Sequence, residues 1–302
     1  MKFNKIACVD YTKMNKEAIT ELQEYSEEEI IHPDDFPETD EEILERIGDA
    51  EVIFVSWKTQ ITKEIIQKCP NLKYIGMCCS LFDDASANVA VDYARENGIT
   101  VTGIFDYGDP GVAEFVISEL IMLIHGYAEK QWKDIPQELT DLKIGIIGLG
   151  VTGQLLADCL LPFGANLYYF SRSRKLQYEQ KGLEYLELDE LLETVDVISI
   201  HLPKNLKILQ SENFEKFGNG KIFINTSLGM PFDLEAFRNW IKSTSNFAIF
   251  DGDAKKDVPQ EIQERKNVVI GKKSAGWTEK TQQRLSKKVL NNFKEYLQEN
   301  CL

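Results

Sequence analysis

Lys143-Ile-Gly-Ile-Ile-Gly148-Leu-Gly150-Val-Thr-Gly153 decides the fold: a short apolar strand runs into a glycine turn and then into Gln154-Leu-Leu-Ala-Asp-Cys-Leu-Leu, which has the character of a helix. The spacing is G-x-G-x-x-G in its meaningful setting, with a strand before it, a helix after it and a second strand following. Gly148 permits the tight turn, Gly150 lets a diphosphate approach the backbone, and Gly153 lets the helix lie close on the strand. Leu149, Val151 and Thr152 complete the expected cradle. The phosphates belong where the first helical N–H groups are unpaired and the helix dipole is positive. Dinucleotide binding is the expectation; the plainer alternative is a strand-to-helix turn without a ligand.

The next strand, Ala165-Asn-Leu-Tyr-Tyr-Phe170, ends in Ser171-Arg172-Ser173-Arg174. This is about 20 residues past the glycines, where an acidic residue would hold the ribose 2′-hydroxyl of NAD. No acid stands there. Ser171, Arg172 and Arg174 suit a 2′-phosphate, because guanidinium pairs with phosphate in a two-pronged geometry. NADP is therefore expected ahead of NAD, although a solvated basic turn would have the same composition. The missing acid also counts against S-adenosylmethionine.

The chain has 302 residues, enough for two domains, with 43% hydrophobic and 10% aromatic residues. A net charge of −15 argues against nucleic acid as a partner. Much of it lies between Glu21 and Asp49, as expected of a solvated face. No signal-peptide pattern opens the sequence and no apolar run reaches the ~18 residues of a membrane span, so a cytoplasmic location away from membranes is expected. Six cysteines, Cys8, Cys69, Cys78, Cys79, Cys159 and Cys301, lack C-x-x-C spacing and indicate neither a metal site nor disulfides.

In chain order, apolar strands are expected at 5–9, 52–56, 72–76 and 99–102, alternating with helices at 16–25, 41–48, from a Thr62 cap, and over 84–97. The pattern predicts an α/β fold with a doubly wound parallel sheet. Asp106-Tyr-Gly-Asp-Pro-Gly111 breaks it and is a candidate hinge. The segment 112–127 is apolar nearly all round, as a helix buried on several sides would be. After the glycine motif, strands are expected at 195–200, 221–225, 247–251 and 268–270. A final helix from about Thr278 carries Leu285, Val289, Phe293 and Leu297 as one stripe.

Several motifs together resemble the D-isomer-specific 2-hydroxyacid dehydrogenases, the family of phosphoglycerate dehydrogenases and glyoxylate/hydroxypyruvate reductases. They are Ala50-Glu-Val-Ile-Phe-Val, Asn71-Leu-Lys-Tyr-Ile-Gly76, Asn97-Gly-Ile-Thr-Val-Thr102, Val112-Ala-Glu114, the glycine motif, His201-Leu-Pro203, Ile224-Asn-Thr-Ser-Leu-Gly229 and Ala275-Gly-Trp-Thr278. The resemblance implies two doubly wound parallel-sheet domains with the active-site cleft between them. A flavodoxin-like substrate domain would comprise 1–106 with 278–302, and a Rossmann NAD(P)-binding domain 107–277. It further implies that His201, Leu202, Pro203, Thr226, Ser227 and Asp251 line the cofactor, and that the assembly is a homodimer.

The chemistry of the family rests on an arginine, a glutamate and a histidine, and this chain departs at each. Leu228 stands at the arginine position, Lys273 at the histidine position, and no acid falls in register after Asp251, where Asp253 or Asp257 could substitute only from a shifted loop. Three histidines exist, His32, His125 and His201, none placed as a proton donor. Lys273 is the candidate acid: a protonated ammonium that polarises and protonates a carbonyl. Losing the arginine removes a carboxylate clamp, so a simple 2-keto acid is a poor fit. Cys78, Cys79 and Ser80 are small enough for their backbone N–H groups to bind a substrate anion. Lys58, beside Trp57, would add a cation, and Tyr107 and Asp109 are weaker candidates. Two functions stay open: an NADP(H)-dependent oxidoreductase acting on a small substrate through Lys273, and a binding protein that uses the dinucleotide as structure or redox signal.

Overall fold

Val52–Val55 (β2) and Tyr74–Met77 (β3) are buried along their whole length, as strands covered on both faces must be. They form the centre of a parallel sheet with Ile6–Cys8 (β1) and Thr100–Thr102 (β4), ordered β1-β2-β3-β4. A parallel bridge from Phe3 to Ser26 adds a stub beyond β1, so the winding direction reverses there. The helices divide between the faces accordingly. Asp40–Ile47 (α2), Lys63–Gln67 (α3) and Val91–Glu96 (α4) bury Ile43, Ile47, Ile65, Ile66 and Ala94 on one face. Thr39 and Thr62 cap α2 and α3 by accepting from the N–H groups of Glu42 and Ile65. Lys16–Gln23 (α1) and Glu279–Asn300 (α12) bury Leu22, Leu285, Val289 and Phe293. The Phe293 ring meets those of Phe3, Tyr25, Phe54 and Tyr74 at centroid distances of 5.4–6.1 Å. Asn292 donates to the Gly103 carbonyl at 2.9 Å and Arg284 to that of Tyr107 at 2.7 Å, which ties the last helix to the sheet it covers.

This computed structural model describes residues 2–300 apart from Phe82, Ala85, Ser86 and Asn205. It divides into two compact units, one running to Tyr107 and resuming at Glu279, the other Gly108–Thr278. Cys301 and two positions of the helix expected over 84–97, Ala85 and Ser86, lie outside the described residues. The described part of that helix begins only at Val91, because the chain before it makes a parallel bridge from Val89 to Ile61.

The second unit holds a seven-stranded parallel sheet, ordered β11-β10-β9-β8-β5-β6-β7. In sequence these are Lys143–Ile147 (β5), Asn166–Phe170 (β6), Glu184–Tyr185 (β7), Val197–Ile200 (β8), Ile222–Asn225 (β9), Phe247–Phe250 (β10) and Val268–Ile270 (β11). The order reverses between β5 and β8, and a ligand of an open α/β sheet binds beyond the carboxyl ends at such a reversal. Asp109–His125 (α5) and Val151–Leu160 (α6) cover one face, burying Leu120, Leu123, Leu156 and Leu160 against Ile144, Ile146 and Ile224. Leu188–Thr194 (α8), Ser211–Phe217 (α9), Leu234–Trp240 (α10) and Gln260–Gln263 (α11) cover the other with an aromatic core of Phe214, Phe217, Phe223, Phe237 and Trp240. Leu176–Glu179 (α7) is a single turn after β6.

The second half of the stretch expected to hinge, Asp109 to Gly111, is the first turn of α5. Pro110 sits in the first turn of α5, where its missing N–H costs nothing. Gly111 is buried in that turn, and a Cβ there would lie 2.5 Å from the Ala275 carbonyl oxygen. Its glycine serves close packing, not flexibility.

Candidate functional site

The glycine turn joins β5 to α6 at the point of strand reversal. Gly148 has φ +96°, and a Cβ on it would stand 2.3 Å from the His201 carbonyl oxygen. A Cβ on Gly153 would stand 2.3 Å from the Gly148 carbonyl oxygen, so α6 packs tightly on the turn. Gly150 differs: nothing lies within 4 Å of where its Cβ would be. It is the N-cap of α6 and gives no side-chain cap, which leaves the first-turn N–H groups without a side-chain acceptor from that position. Two of the three glycines therefore fill space and the third keeps space open above a helix N-terminus, as a diphosphate requires. Leu149 is buried, so its backbone alone can face a ligand, while Val151 is exposed. The Thr152 hydroxyl donates to the Asp109 carboxylate and is already occupied.

At the end of β6 the two arginines differ in their surroundings. Arg172 is exposed and has no ion-pair partner among the described residues. Arg174 donates from Nε to Glu179 Oε1 at 3.0 Å and from Nη2 to Oε2, and lies over the Tyr185 ring at 5.4 Å. The Ser171 hydroxyl donates to the Ser173 carbonyl at 2.6 Å. Glu179 was not anticipated from the sequence; its separation of five residues from Arg174 matches no regular helical pairing.

Past β8, His201 holds both ring nitrogens in hydrogen bonds, Nε2 with Ser199 Oγ at 2.9 Å and Nδ1 with Thr226 Oγ1 at 3.2 Å. Burial drives its pKa down to about 4, so the imidazole is neutral near pH 7. The Leu202 N–H donates to Ser227 Oγ at 2.9 Å, and that hydroxyl donates to the Ile200 carbonyl at 3.2 Å, which locks the β8 and β9 ends together. Pro203 is exposed, and Leu228 exposes 54% of its surface.

Asp251, at the end of β10, is buried and accepts three backbone N–H groups. Those of Asp253 and Ala254 reach Oδ1 at 2.9 and 2.5 Å, and that of Ala275 reaches Oδ2 at 3.1 Å. Burial raises its pKa against the opposing pull of those donors. It anchors the loop that follows β11, and the Gly252 N–H adds a bond to the Lys273 carbonyl at 3.1 Å. Lys273 itself is exposed and borders a groove of about 810 Å³ with Phe115, Glu119, Lys130 and Lys272.

In the first unit, Cys78 and Cys79 are buried, and their thiols approach the Gly76 carbonyl and the Asn88 side chain at 3.9 and 3.6 Å. Burial pushes the Cys79 thiol up to about 12 and holds the Cys78 thiol well above its ordinary value. Only the backbone of this pair can serve a ligand; Ser80 is half-buried. Lys58 extends its ammonium over Phe36 at 4.2 Å. The Tyr107 carbonyl is taken by Arg284. His32 bonds Thr12 at 2.8 Å and His125 stacks on Tyr127 at 4.7 Å. A buried network that sequence reasoning missed supports these loops. Asp10 accepts from the Ser56 N–H and hydroxyl at 2.9 and 2.7 Å and from Thr59 at 2.5 Å, while Asn88 donates to the carbonyls of both at 2.7 and 2.6 Å.

Among the described residues no group of acidic, histidine or cysteine side chains is disposed to hold a metal ion, and no helix is long and apolar enough to cross a membrane.

Comparison with known proteins places these features in context. Residues 118–272 match the model of the D-isomer specific 2-hydroxyacid dehydrogenase, NAD binding domain. A hydroxypyruvate reductase of Blautia hydrogenotrophica is 31% identical over 63% of this chain, and the match spans 63% of that enzyme's length. A glyoxylate reductase of Thermofilum pendens is 28% identical over 70% of this chain and 68% of its own. Among solved structures, an acyclic imino acid reductase in complex with NADPH and D-Arg superposes with a TM-score of 0.77 at 25% identity, covering 99% of this chain and 98% of that one.

Proposed function

The chain belongs to the D-isomer specific 2-hydroxyacid dehydrogenase family, and from that premise we propose that it is a nicotinamide-dinucleotide-dependent reductase of a small C=O or C=N substrate, with NADP(H) preferred. The observation that carries this is the open space at Gly150 above the start of α6, between two glycines that close packing requires. The backbone of 148–153 would take the diphosphate. Ser171 and Arg172 would take the 2′-phosphate, and the neutral His201 with Leu202, Pro203, Thr226, Ser227 and the Asp251 loop would border the nicotinamide end. When bound, the reduced nicotinamide supplies a hydride to the substrate carbon.

The chain's part is to orient the substrate and deliver the proton. The Lys273 ammonium would hydrogen-bond the carbonyl oxygen, or the imine nitrogen, and release one proton to it as the carbon is reduced. Leu228, an exposed apolar side chain in place of a guanidinium, favours a substrate with hydrocarbon beside its reacting carbon over a bare 2-keto acid. The backbone of Cys78, Cys79 and Ser80 with Lys58 are assigned as anion contacts of the first unit. The similarity to an imino acid reductase and to hydroxypyruvate and glyoxylate reductases defines the panel to test.

The test is to titrate NADPH and NADH by fluorescence and then follow cofactor oxidation with 2-keto acids, aldehydes and imines. Lys273→Ala is expected to leave nucleotide affinity within twofold and to lower kcat by about a hundredfold, the usual scale for a removed general acid. Tight nucleotide binding without turnover across the panel, in wild type and Lys273→Ala alike, would instead identify a binding protein.

A further inference from the structure

Resting on the reading above, we propose that Glu179 is a specificity residue for the cofactor: it withholds Arg174 from the 2′-phosphate, so that discrimination between NADP(H) and NAD(H) falls to Arg172.

The contacts around Arg174 are unlike those of a surface arginine that waits for a ligand. Two of its N–H groups are spent on Glu179, Nε on Oε1 at 3.0 Å and Nη2 on Oε2. One face of its guanidinium is spent on the Tyr185 ring, 5.4 Å away. Glu179 is itself held. Its Oε1 accepts from the Tyr169 hydroxyl at 2.7 Å, and that hydroxyl accepts from the Lys175 N–H at 2.7 Å. The Tyr169 ring is wholly buried in the sheet and meets the Tyr185 ring edge-on at 5.4 Å. The carboxylate is therefore tethered to β6, and its side chain is 18% exposed whereas that of Arg174 is 60% exposed. This is the two-pronged geometry that makes an arginine–carboxylate pair stronger than an ordinary surface pair.

A bound 2′-phosphate near this turn would meet a guanidinium whose charge is already matched by a carboxylate a few ångströms behind it. The dianion gains from one and is repelled by the other, so the pair contributes little net attraction. Arg172, two residues earlier in the same turn, is exposed and has no ion-pair partner among the described residues. The turn thus contains one available and one restrained guanidinium, and the restraint comes from a residue outside the Ser171–Arg174 stretch.

Affinities of 2′,5′-ADP and 5′-AMP for the full chain, measured by calorimetry, separate the effect from catalysis. Glu179→Gln is expected to tighten 2′,5′-ADP about fivefold while 5′-AMP changes less than twofold, with the gain shrinking at high salt. Arg174→Ala alone is expected to weaken 2′,5′-ADP by less than twofold, yet in the Glu179→Gln background to cancel the whole gain. Arg172→Ala is expected to weaken 2′,5′-ADP about tenfold in either background. A glutamine variant with unchanged or weaker 2′,5′-ADP binding and intact 5′-AMP binding overturns the proposal. Should that variant not fold, a tenfold loss in Arg174→Ala alone overturns it, and a loss below twofold supports it. Absence of binding by both nucleotides to the wild-type chain would defeat the reductase reading, and the specificity role with it.

Discussion

Gly148→Ala is expected to destabilise the second unit by about 4 kcal/mol and lower its melting temperature by about 10 °C, whereas Gly150→Ala should melt within about 3 °C of wild type and lose nucleotide binding. The contrast follows from what surrounds each α-carbon. At Gly148 an added methyl meets a backbone oxygen at 2.3 Å, and the residue sits at φ +96°, which L side chains rarely adopt. The His201 carbonyl cannot retreat without moving the end of β8, which is paired to β5 and β9. At Gly150 the backbone is extended, with φ −80° and ψ −162°, and the space beyond is open, so the methyl costs at most about 1 kcal/mol as a poorer N-cap. On the proposed reading that methyl would occupy the volume of the diphosphate. Displacing a phosphate from charge-assisted bonds to two N–H groups, worth roughly 1.5–3 kcal/mol each, weakens binding about a hundredfold or more. Thermal melting and NADPH fluorescence titration of the two variants check this together. A Gly150→Ala protein that binds NADPH like wild type would remove the diphosphate from the turn.

That contrast also marks how far the sequence could be read. The G-x-G-x-x-G spacing locates the turn and gives each glycine its own role; the structure adds what each α-carbon faces, a backbone oxygen at Gly148 and Gly153 and open space at Gly150. The strands were legible because a parallel strand covered on both faces is a continuous apolar run, as Val-Ile-Phe-Val and Ile-Phe-Ile-Asn show. The connecting helices of the second unit were not. Ser211–Phe217 and Leu234–Trp240 are seven residues each, too short for a 3.6-residue period to stand out, and Phe214, Phe217, Phe237 and Trp240 gain meaning only from packing on one another. Proline punctuates loops, so Pro110 reads as a break in the sequence, yet in the first turn of a helix it is favourable.

The site residues divide along the same line. Motif residues at strand ends could be named because their spacing is local. Asp10 could not be tied to Ser56 and Thr59, 46 and 49 residues on, because hydrogen bonds over such separations leave no local pattern. Glu179 leaves no signal for a related reason: an acid at this site is expected at the end of β6, and this one enters from α7. Lys273 is a candidate only through the family's motif, since nothing in Lys272-Lys273 distinguishes a proton donor from a solvated pair.

His201 gives the other large effect, on stability as a function of pH. Burial lowers its pKa from 6.5 to about 4, and both ring nitrogens already bond hydroxyl groups. In the unfolded chain the same imidazole takes up a proton near pH 6.5. Between these values the unfolded state binds more protons than the folded one, so stability rises with pH through this window. The contribution is fully present above about pH 6.5 and is lost on acidification towards pH 4, at up to about 1.4 kcal/mol per pH unit and about 3 kcal/mol in all. The buried carboxyl of Asp251 acts in the opposite sense, since its pKa is raised and the folded state then holds its proton more tightly. His201→Gln, which keeps a polar side chain but cannot take up a proton, isolates the histidine. Urea unfolding at pH 7.0, 5.5 and 4.5 should show wild type losing about 2.4 kcal/mol more than the glutamine variant across the series. Parallel pH dependences for the two proteins would mean that the imidazole is protonated in place, and His201 would then compete with Lys273 for the role of proton donor. A flattened dependence in the variant leaves a neutral, doubly bonded ring near pH 7, which agrees with the proposal that Lys273 and not His201 delivers the proton.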